Sequence, residues 1–382
     1  MGIKPIKPGS ICFQDLRMTL QELEGQFISV RLSESCEIIQ GRIFRVDEGK
    51  LILVGVFGTR IIPICSISSI DYGPFAYATN FSDNTVTVIN TATNTVFDLI
   101  PVETSPFFLA ITPDGSRAYV THFSDIISVI STVTNTVLTT ISLSDDGSLN
   151  SNGIAISPDG LRAYTANLNG TVSVINTATN TLLTTISLGS DGVGAFGIAV
   201  TPDGSRVYTA NFLGTVSVID TATNTLLTTI SLTPLDFGPL DIAITPDGSL
   251  AYTTNFSDNS VSVINTDTNT VLTTISLFSD GIGPDRVAIT PDGSRVYTTN
   301  DLNSTVSVIS TVTNTVLTTI FLGEKVFPEG IAITPDGSRA YITSGEKGLI
   351  VINTATNTVI GSPIDLGNMF GPTAIAITPF TL

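Results

Sequence analysis

The segment Thr-Pro-Asp-Gly returns down the chain with its proline at 113, 158, 202, 246, 291 and 335, in steps of 44 or 45 residues, the second copy opening with Ser157. A half-copy, Thr378-Pro379, closes the series. A period of this length marks a repeat architecture in which each unit is one supersecondary element that buries its apolar face only against its neighbours.

The copy beginning at Gly153 shows the internal order: Ile154-Ala155-Ile156, a Ser157-Pro158-Asp159-Gly160 turn, Arg162 to Asn167, a short loop, Thr171 to Asn176, a Thr177-Ala178-Thr179-Asn180 turn, and Thr181 to Ile186. These runs are short, rich in β-branched residues and bounded by Pro, Asp, Gly and Asn, which predicts four strands per unit. Proline presets the second position of a type I turn and glycine permits the positive φ that leaves it. The Ile-Ala-Ile run lacks polar alternation, as expected of a strand buried on both faces near an axis.

Counting by the second turn, Asn94, Asn135, Asn180, Asn224, Asn269, Asn314 and Asn357 give seven units. Seven of the eight tyrosines recur in step, from Tyr77 to Tyr341. The first unit has no Ile-Ala-Ile strand, whereas the C-terminus carries a spare one at 374–378. The spare strand would complete the first unit and remove two free sheet edges. The expected fold is therefore all-β: a seven-bladed β-propeller of four-stranded blades over 73–382, closed by residues 373–378.

The runs Pro113 to Thr121 and Val172 to Thr181 resemble the YVTN-type β-propeller repeat family of prokaryotic surface proteins. The resemblance implies a scaffold often found at cell surfaces. Propellers host many functions, so the scaffold alone assigns none.

Residues 1–73 differ in kind. They hold eight bases and eight acids, so the whole net charge of −17 falls on the propeller. We expect a leader over 1–14 and a small barrel over 15–72, with a short helix at 16–23 and β runs at 27–32, 38–46, 50–57 and 60–67. Leu20 to Leu32 resembles the opening of an Sm-like β-barrel, and Ile62-Pro63 to Ile67 resembles a run in small barrels of bacterial spore-coat proteins. Nucleic acid is not an expected partner, because phosphate binding calls for a basic surface and this segment is neutral and joined to an acidic one.

The only histidine, His122, stands where other units carry Asn80, Asn167, Asn211, Asn255 and Asn300, which assigns it the repeat's structural task. With no second histidine and no cysteine after Cys65, the ligands of a zinc, copper or haem centre are missing from the propeller, and we expect neither cofactor nor catalytic residue. Variable loops on a constant scaffold are where function usually sits. The candidate ligand face is thus the set of connections carrying Asp145, Asp146, Asp191, Asp236, Asp241, Asp280, Asp285 and Glu324, beside Asp83, Asp125 and Asp258. On the opposite face the Pro-Asp-Gly turns are followed by Arg117, Arg162, Arg206, Arg295 and Arg339, placed for local ion pairs or for docking.

Cys12, Cys36 and Cys65 are candidates for an intermolecular disulfide, the odd number leaving one over. Outermost strands such as Thr136 to Ile141 and Thr315 to Ile320 carry no Lys or Pro to discourage edge pairing, which points to self-association. No apolar run has the length of a signal peptide's core or of a membrane span. Insertion in a membrane is not expected, and a cell or spore surface reached without conventional secretion is. The leading expectation is a non-enzymatic structural or assembly protein of such a surface, attached by its N-terminal region. The alternative is a propeller that binds a glycan, peptide or cation through its acidic loops, and an enzyme ranks third. One feature separates these classes: near-identical blades favour scaffolding, whereas unequal blades with polar residues converging on the central channel favour binding or catalysis.

Overall fold

The computed structural model describes residues 27–32, 38–47, 50–55, 58–63, 67–71, 74–144, 150–232, 238–277, 281–366 and 371–379. The N-terminal strands are β1 (Phe27–Leu32), β2 (Ile38–Asp47), β3 (Lys50–Gly55), β4 (Gly58–Pro63) and β5 (Ile67–Asp71), in one antiparallel sheet of order β4-β3-β2-β1-β5. The expected helix at 16–23 and all three cysteines lie outside the described residues. Of the barrel expected over 15–72, the described residues form this five-stranded sheet.

From Phe75 the chain builds seven four-stranded sheets. Six run in chain order, inner strand to outer. The remaining sheet pairs the C-terminal Pro372–Ile377 antiparallel with Phe75–Asn80, with Ile375 opposite Ala78. The closure is reinforced by two 2.8 Å hydrogen bonds, from the Thr378 amide to the Phe75 carbonyl and from the Phe75 amide to Thr378 Oγ1. The spare strand thus covers the inner edge of Phe75–Asn80 and gives the first blade its fourth strand.

The repeat residues bind blade to blade. Tyrosines from Tyr77 to Tyr341 are fully buried, and the Tyr208 hydroxyl donates to Asn269 Oδ1 of the next blade at 2.6 Å. The Tyr119–Asn180 and Tyr297–Asn357 pairs repeat this bond, and Tyr341 to Asn94 carries it across the closure. The Asn224 side chain of blade 4 is met instead by Arg162 Nη1 of blade 3. Each of these turn asparagines is in the left-handed region, φ 52–55°, where Asn is better tolerated than most residues.

The arginines after the Pro-Asp-Gly turns reach across to the neighbouring blade. Arg117 donates to the Thr177 carbonyl, Arg206 to Thr266 and Arg339 to Thr91, always in the following blade. The turn aspartates are occupied locally. Thr201 Oγ1 and the Ser205 amide donate to Asp203, which holds its carboxyl below the usual carboxylate range.

The outer strands carry a register shift in six of the seven blades, as between Val174 and Ile175. Such bulges twist an edge away from a partner, a device the strand sequences do not reveal. In blade 7 the outer strand is only Thr358–Val359, after which Gly361-Ser362-Pro363 loops out before Ile364 bridges back to Leu349. Proline has no amide to continue the ladder there.

Candidate ligand site in the axial channel

The seven innermost strands read Pro-Thr-Ala-Ile-Ala-Ile (372–377) in blade 1, then Pro-Phe-Phe-Leu-Ala-Ile (106–111), Ser-Asn-Gly-Ile-Ala-Ile (151–156), Ala-Phe-Gly-Ile-Ala-Val (195–200), Pro-Leu-Asp-Ile-Ala-Ile (239–244), Pro-Asp-Arg-Val-Ala-Ile (284–289) and Pro-Glu-Gly-Ile-Ala-Ile (328–333). Their last three residues scarcely vary. Their second and third residues differ sharply, and they divide the channel in two. Blades 2 to 4 supply Phe107, Phe108 and Phe196, whereas blades 5 to 7 supply Asp241, Asp285, Arg286 and Glu329.

All seven blades line a cavity of roughly 120 Å³ on the axis, with Phe108 and Gly153 on one side and Asp241, Arg286 and Gly330 on the other. The glycines make the close approach feasible. A Cβ on Gly197 would stand 2.5 Å from the Asp241 Cα, and one on Gly330 would stand 2.8 Å from the Ala374 Cα. The backbone behind the polar residues is clamped by threonines of the second strands. Thr254 receives the Asp241 amide and donates to the Asp285 carbonyl, while Thr299 receives the Arg286 amide and donates to the Glu329 carbonyl. Ala166 and Ala210 replace these threonines in blades 3 and 4.

Arg286 is the centre of the site. It is 5% exposed, its Nη1 is paired with Asp285, and its Cζ sits 4.4 Å from the Phe108 ring centroid and 5.4 Å from that of Phe196. A guanidinium on aromatic faces is held by the ring quadrupole. Its Nε has no hydrogen-bond partner. Asn152, the blade 3 counterpart of Asp285, is fully buried with both side-chain polar atoms unpartnered.

Carboxylates outnumber this cation. Asp241 Oδ2 accepts from the Val287 amide at 3.0 Å and Oδ1 from Ile242 at 2.9 Å. Burial outweighs these bonds and the pull of Arg286, and holds the Asp241 carboxyl up at about 6. Burial and repulsion from Asp285 raise Glu329 to about 7 and Asp301, which opens a short 3₁₀ turn after Asn300, to about 6. Burial pushes Asp285 up as well, against Arg286. Carboxyl groups perturbed by burial beside one buried cation mark a candidate site rather than a solvated surface.

The expected site residues are distributed differently from the sequence reading. Asp241 and Asp285 belong to inner strands, not to loops, and of the two Asp241 lines the axial cavity. Asp191 is exposed in the 3₁₀ turn Ser190–Gly192, Glu324 is exposed ahead of the blade 7 inner strand, and Asp145, Asp146, Asp236 and Asp280 lie outside the described residues. Of the further face residues, Asp83 and Asp258 are exposed, and Asp125 is buried, bonded to the Asn150 amide. Arg286, Glu329, Asp301 and the phenylalanines were missed. Aligning the two residues ahead of each Ile-Ala-Ile run exposes all of them except Asp301.

His122 takes the task of the asparagine it replaces. Its Nε2 lies 2.8 Å from Ser128 Oγ, where Asn167 Nδ2 donates to Ser173, and its Nδ1 lies 3.0 Å from the Thr104 carbonyl. Among the described residues no group of three or more His, Cys, Asp or Glu side chains is placed to hold a metal ion. No described helix is long and apolar enough to cross a membrane.

The model of the family described as lactonase, 7-bladed beta-propeller, matches residues 117–344, more than half of the chain. The chain belongs to this lactonase propeller family. The sequence motifs had indicated YVTN-type repeats, and the family that is shown is the lactonase one. Among solved structures, a functionally unknown protein from Desulfotomaculum acetoxidans is similar with a TM-score of 0.68 at 22% identity, over 80% of this chain and 99% of that one. Hydrazine synthase from Kuenenia stuttgartiensis gives 0.61 at 21% identity, over 70% and 88%. The dihydro-heme d1 dehydrogenase NirN in complex with DHE gives 0.57 at 14% identity, over 79% and 74%. At these identities the likeness is one of fold. No curated protein matches the chain.

Proposed function

We propose that the protein is a binding propeller whose ligand site is the polar half of the axial channel, built by Asp241, Asp285, Arg286 and Glu329. The observation that carries this is the inequality of the inner strands: their Ile-Ala-Ile halves scarcely vary, whereas the third position, which lines the axial cavity as Phe108, Gly153, Asp241, Arg286, Gly330 and Ala374, changes from blade to blade. A scaffold gains nothing from a buried arginine among four carboxyl groups, because burying charges costs more than apolar residues of similar size. The reading moves the ligand from the variable acidic loops to the axis. Attachment or self-association at a cell or spore surface remains the role proposed for the N-terminal region with Cys12, Cys36 and Cys65.

The test is ligand-observed NMR on the full chain with a set of small polar compounds, repeated on the double variant Asp285→Leu/Arg286→Gly. Binding that the double variant loses supports the reading; compounds that bind both proteins equally, or neither, overturn it.

A second reading, hydrolysis of a lactone, is favoured by the Glu329 carboxyl, which is held at about 7 near Arg286. A carboxylate titrating near neutrality is suited to drawing a proton from water, and a guanidinium to meeting the oxyanion of an opening ester. The family description supplies the substrate class. Titrating the acid released from simple lactones would reveal turnover that depends on Glu329, and equal release by Glu329→Gln would remove this reading.

A further inference from the structure

Resting on the binding reading above, we propose that the axial site takes a small zwitterion of the α-amino acid type, its carboxylate on the Nε edge of Arg286 and its ammonium on the carboxyl group of Asp241, which lines the same cavity. The first observation is the orphaned donor. Arg286 is 5% exposed and lines the cavity, its Nη1 is engaged by Asp285, and its Nε has no partner. A buried donor calls for an acceptor, and the side edge of a guanidinium suits the two oxygens of a carboxylate. The Phe108 and Phe196 rings pack on the guanidinium, their centroids 4.4 and 5.4 Å from Cζ, which restrains the head group before any ligand arrives.

The second observation is the charge balance. The cavity presents the Asp241 carboxyl beside Arg286, whose Nη1 is already taken by Asp285, so two carboxyl groups face one guanidinium. A simple anion would answer the orphaned Nε but enter a field of excess negative charge. A simple cation would relieve the carboxylates but leave Nε unmet. A molecule that carries both charges a few ångströms apart answers both, and the roughly 120 Å³ cavity limits it to a small one. The phenylalanine half of the channel offers an apolar wall to a short side chain.

The experiment is isothermal titration of the full-length protein with glycine and alanine, against acetate and methylammonium as carriers of one charge each. Alanine or glycine is expected to bind at least tenfold tighter than either single-charge probe. Arg286→Gly, which places at this position the glycine that blades 3, 4 and 7 use, should abolish zwitterion binding. Because that variant leaves Asp285 unpaired, Asp285→Leu/Arg286→Gly serves as the folded control and should behave alike. Asp241→Asn should bring alanine and acetate within threefold of each other.

Acetate binding as tightly as glycine, or zwitterion binding that survives the double variant, overturns the proposal. If neutral lactones or polyols bind in an Arg286-dependent way and amino acids do not, the zwitterion is wrong while the axial site stands. If none of these probes binds, both fail.

Discussion

Asn269 does two things that its neighbours in the turn cannot. Its backbone holds φ at 54°, and its Oδ1 receives the hydroxyl of Tyr208 from the preceding blade. Asn269→Gly keeps the backbone and loses only the acceptor. Since the same hydroxyl lies 3.2 Å from the Thr266 carbonyl and can turn to it, the cost should be at the low end of a buried hydrogen bond, about 0.5–1 kcal/mol. Asn269→Ala adds the left-handed penalty, about 1–2 kcal/mol more. Urea unfolding of both variants checks the order, and an alanine variant as stable as the glycine one would remove the backbone role. The turn asparagines were visible as punctuation in the sequence, and so was the replacement of one asparagine by His122. The tyrosine partner was not, because a bond spanning 61 residues joins two copies of the repeat that the period describes only one at a time.

The inner strands show where sequence reading stops at the level of the element. Ile-Ala-Ile identified their second halves and the C-terminal closure. Their first halves read as loops because proline stands first in five of the seven and charged residues follow. Proline at the first position of a strand needs no ladder amide, and the register shift between Pro239 and Ile242 shows the pairing interrupted there. Asp241 and Asp285 were therefore assigned to loops, and Arg286 was overlooked. The same inequality gives a stability prediction. Arg286→Gly strands Asp285 in the interior and should cost about 3–5 kcal/mol, whereas Asp285→Leu/Arg286→Gly removes both charges and should be neutral or stabilising. Chemical denaturation distinguishes them; a double variant as unstable as the single one would mean that the pair is structural.

For the whole molecule, the strand Pro372–Ile377 and the acid cluster combine into one expectation about pH. The closure makes the seven blades a single ring, so protonation in blades 5 to 7 should be felt in one unfolding transition. Glu329, Asp241 and Asp301 have folded pKa values of about 7, 6 and 6, above their ordinary 4.5, 3.8 and 3.8. The folded state thus binds more protons than the unfolded one between about pH 4 and 7, and stability increases as pH falls through that window. Fewer charges on a chain of net charge −17 act in the same direction. His122, whose pKa burial lowers, opposes this below 6.5, but it is one group against several. The turn aspartates, such as Asp203 and Asp292, are held low by threonine and serine donors, so their contribution is lost as pH falls below 3.8. The thermal midpoint should therefore be highest near pH 5, fall by several degrees toward pH 8, and fall again below pH 4. Glu329→Gln should flatten the upper limb and leave the lower one unchanged. Calorimetry across pH 3.5–8 checks both, and an upper limb that is level in the unmodified protein would show that the carboxyl cluster is not held in its protonated form by the fold.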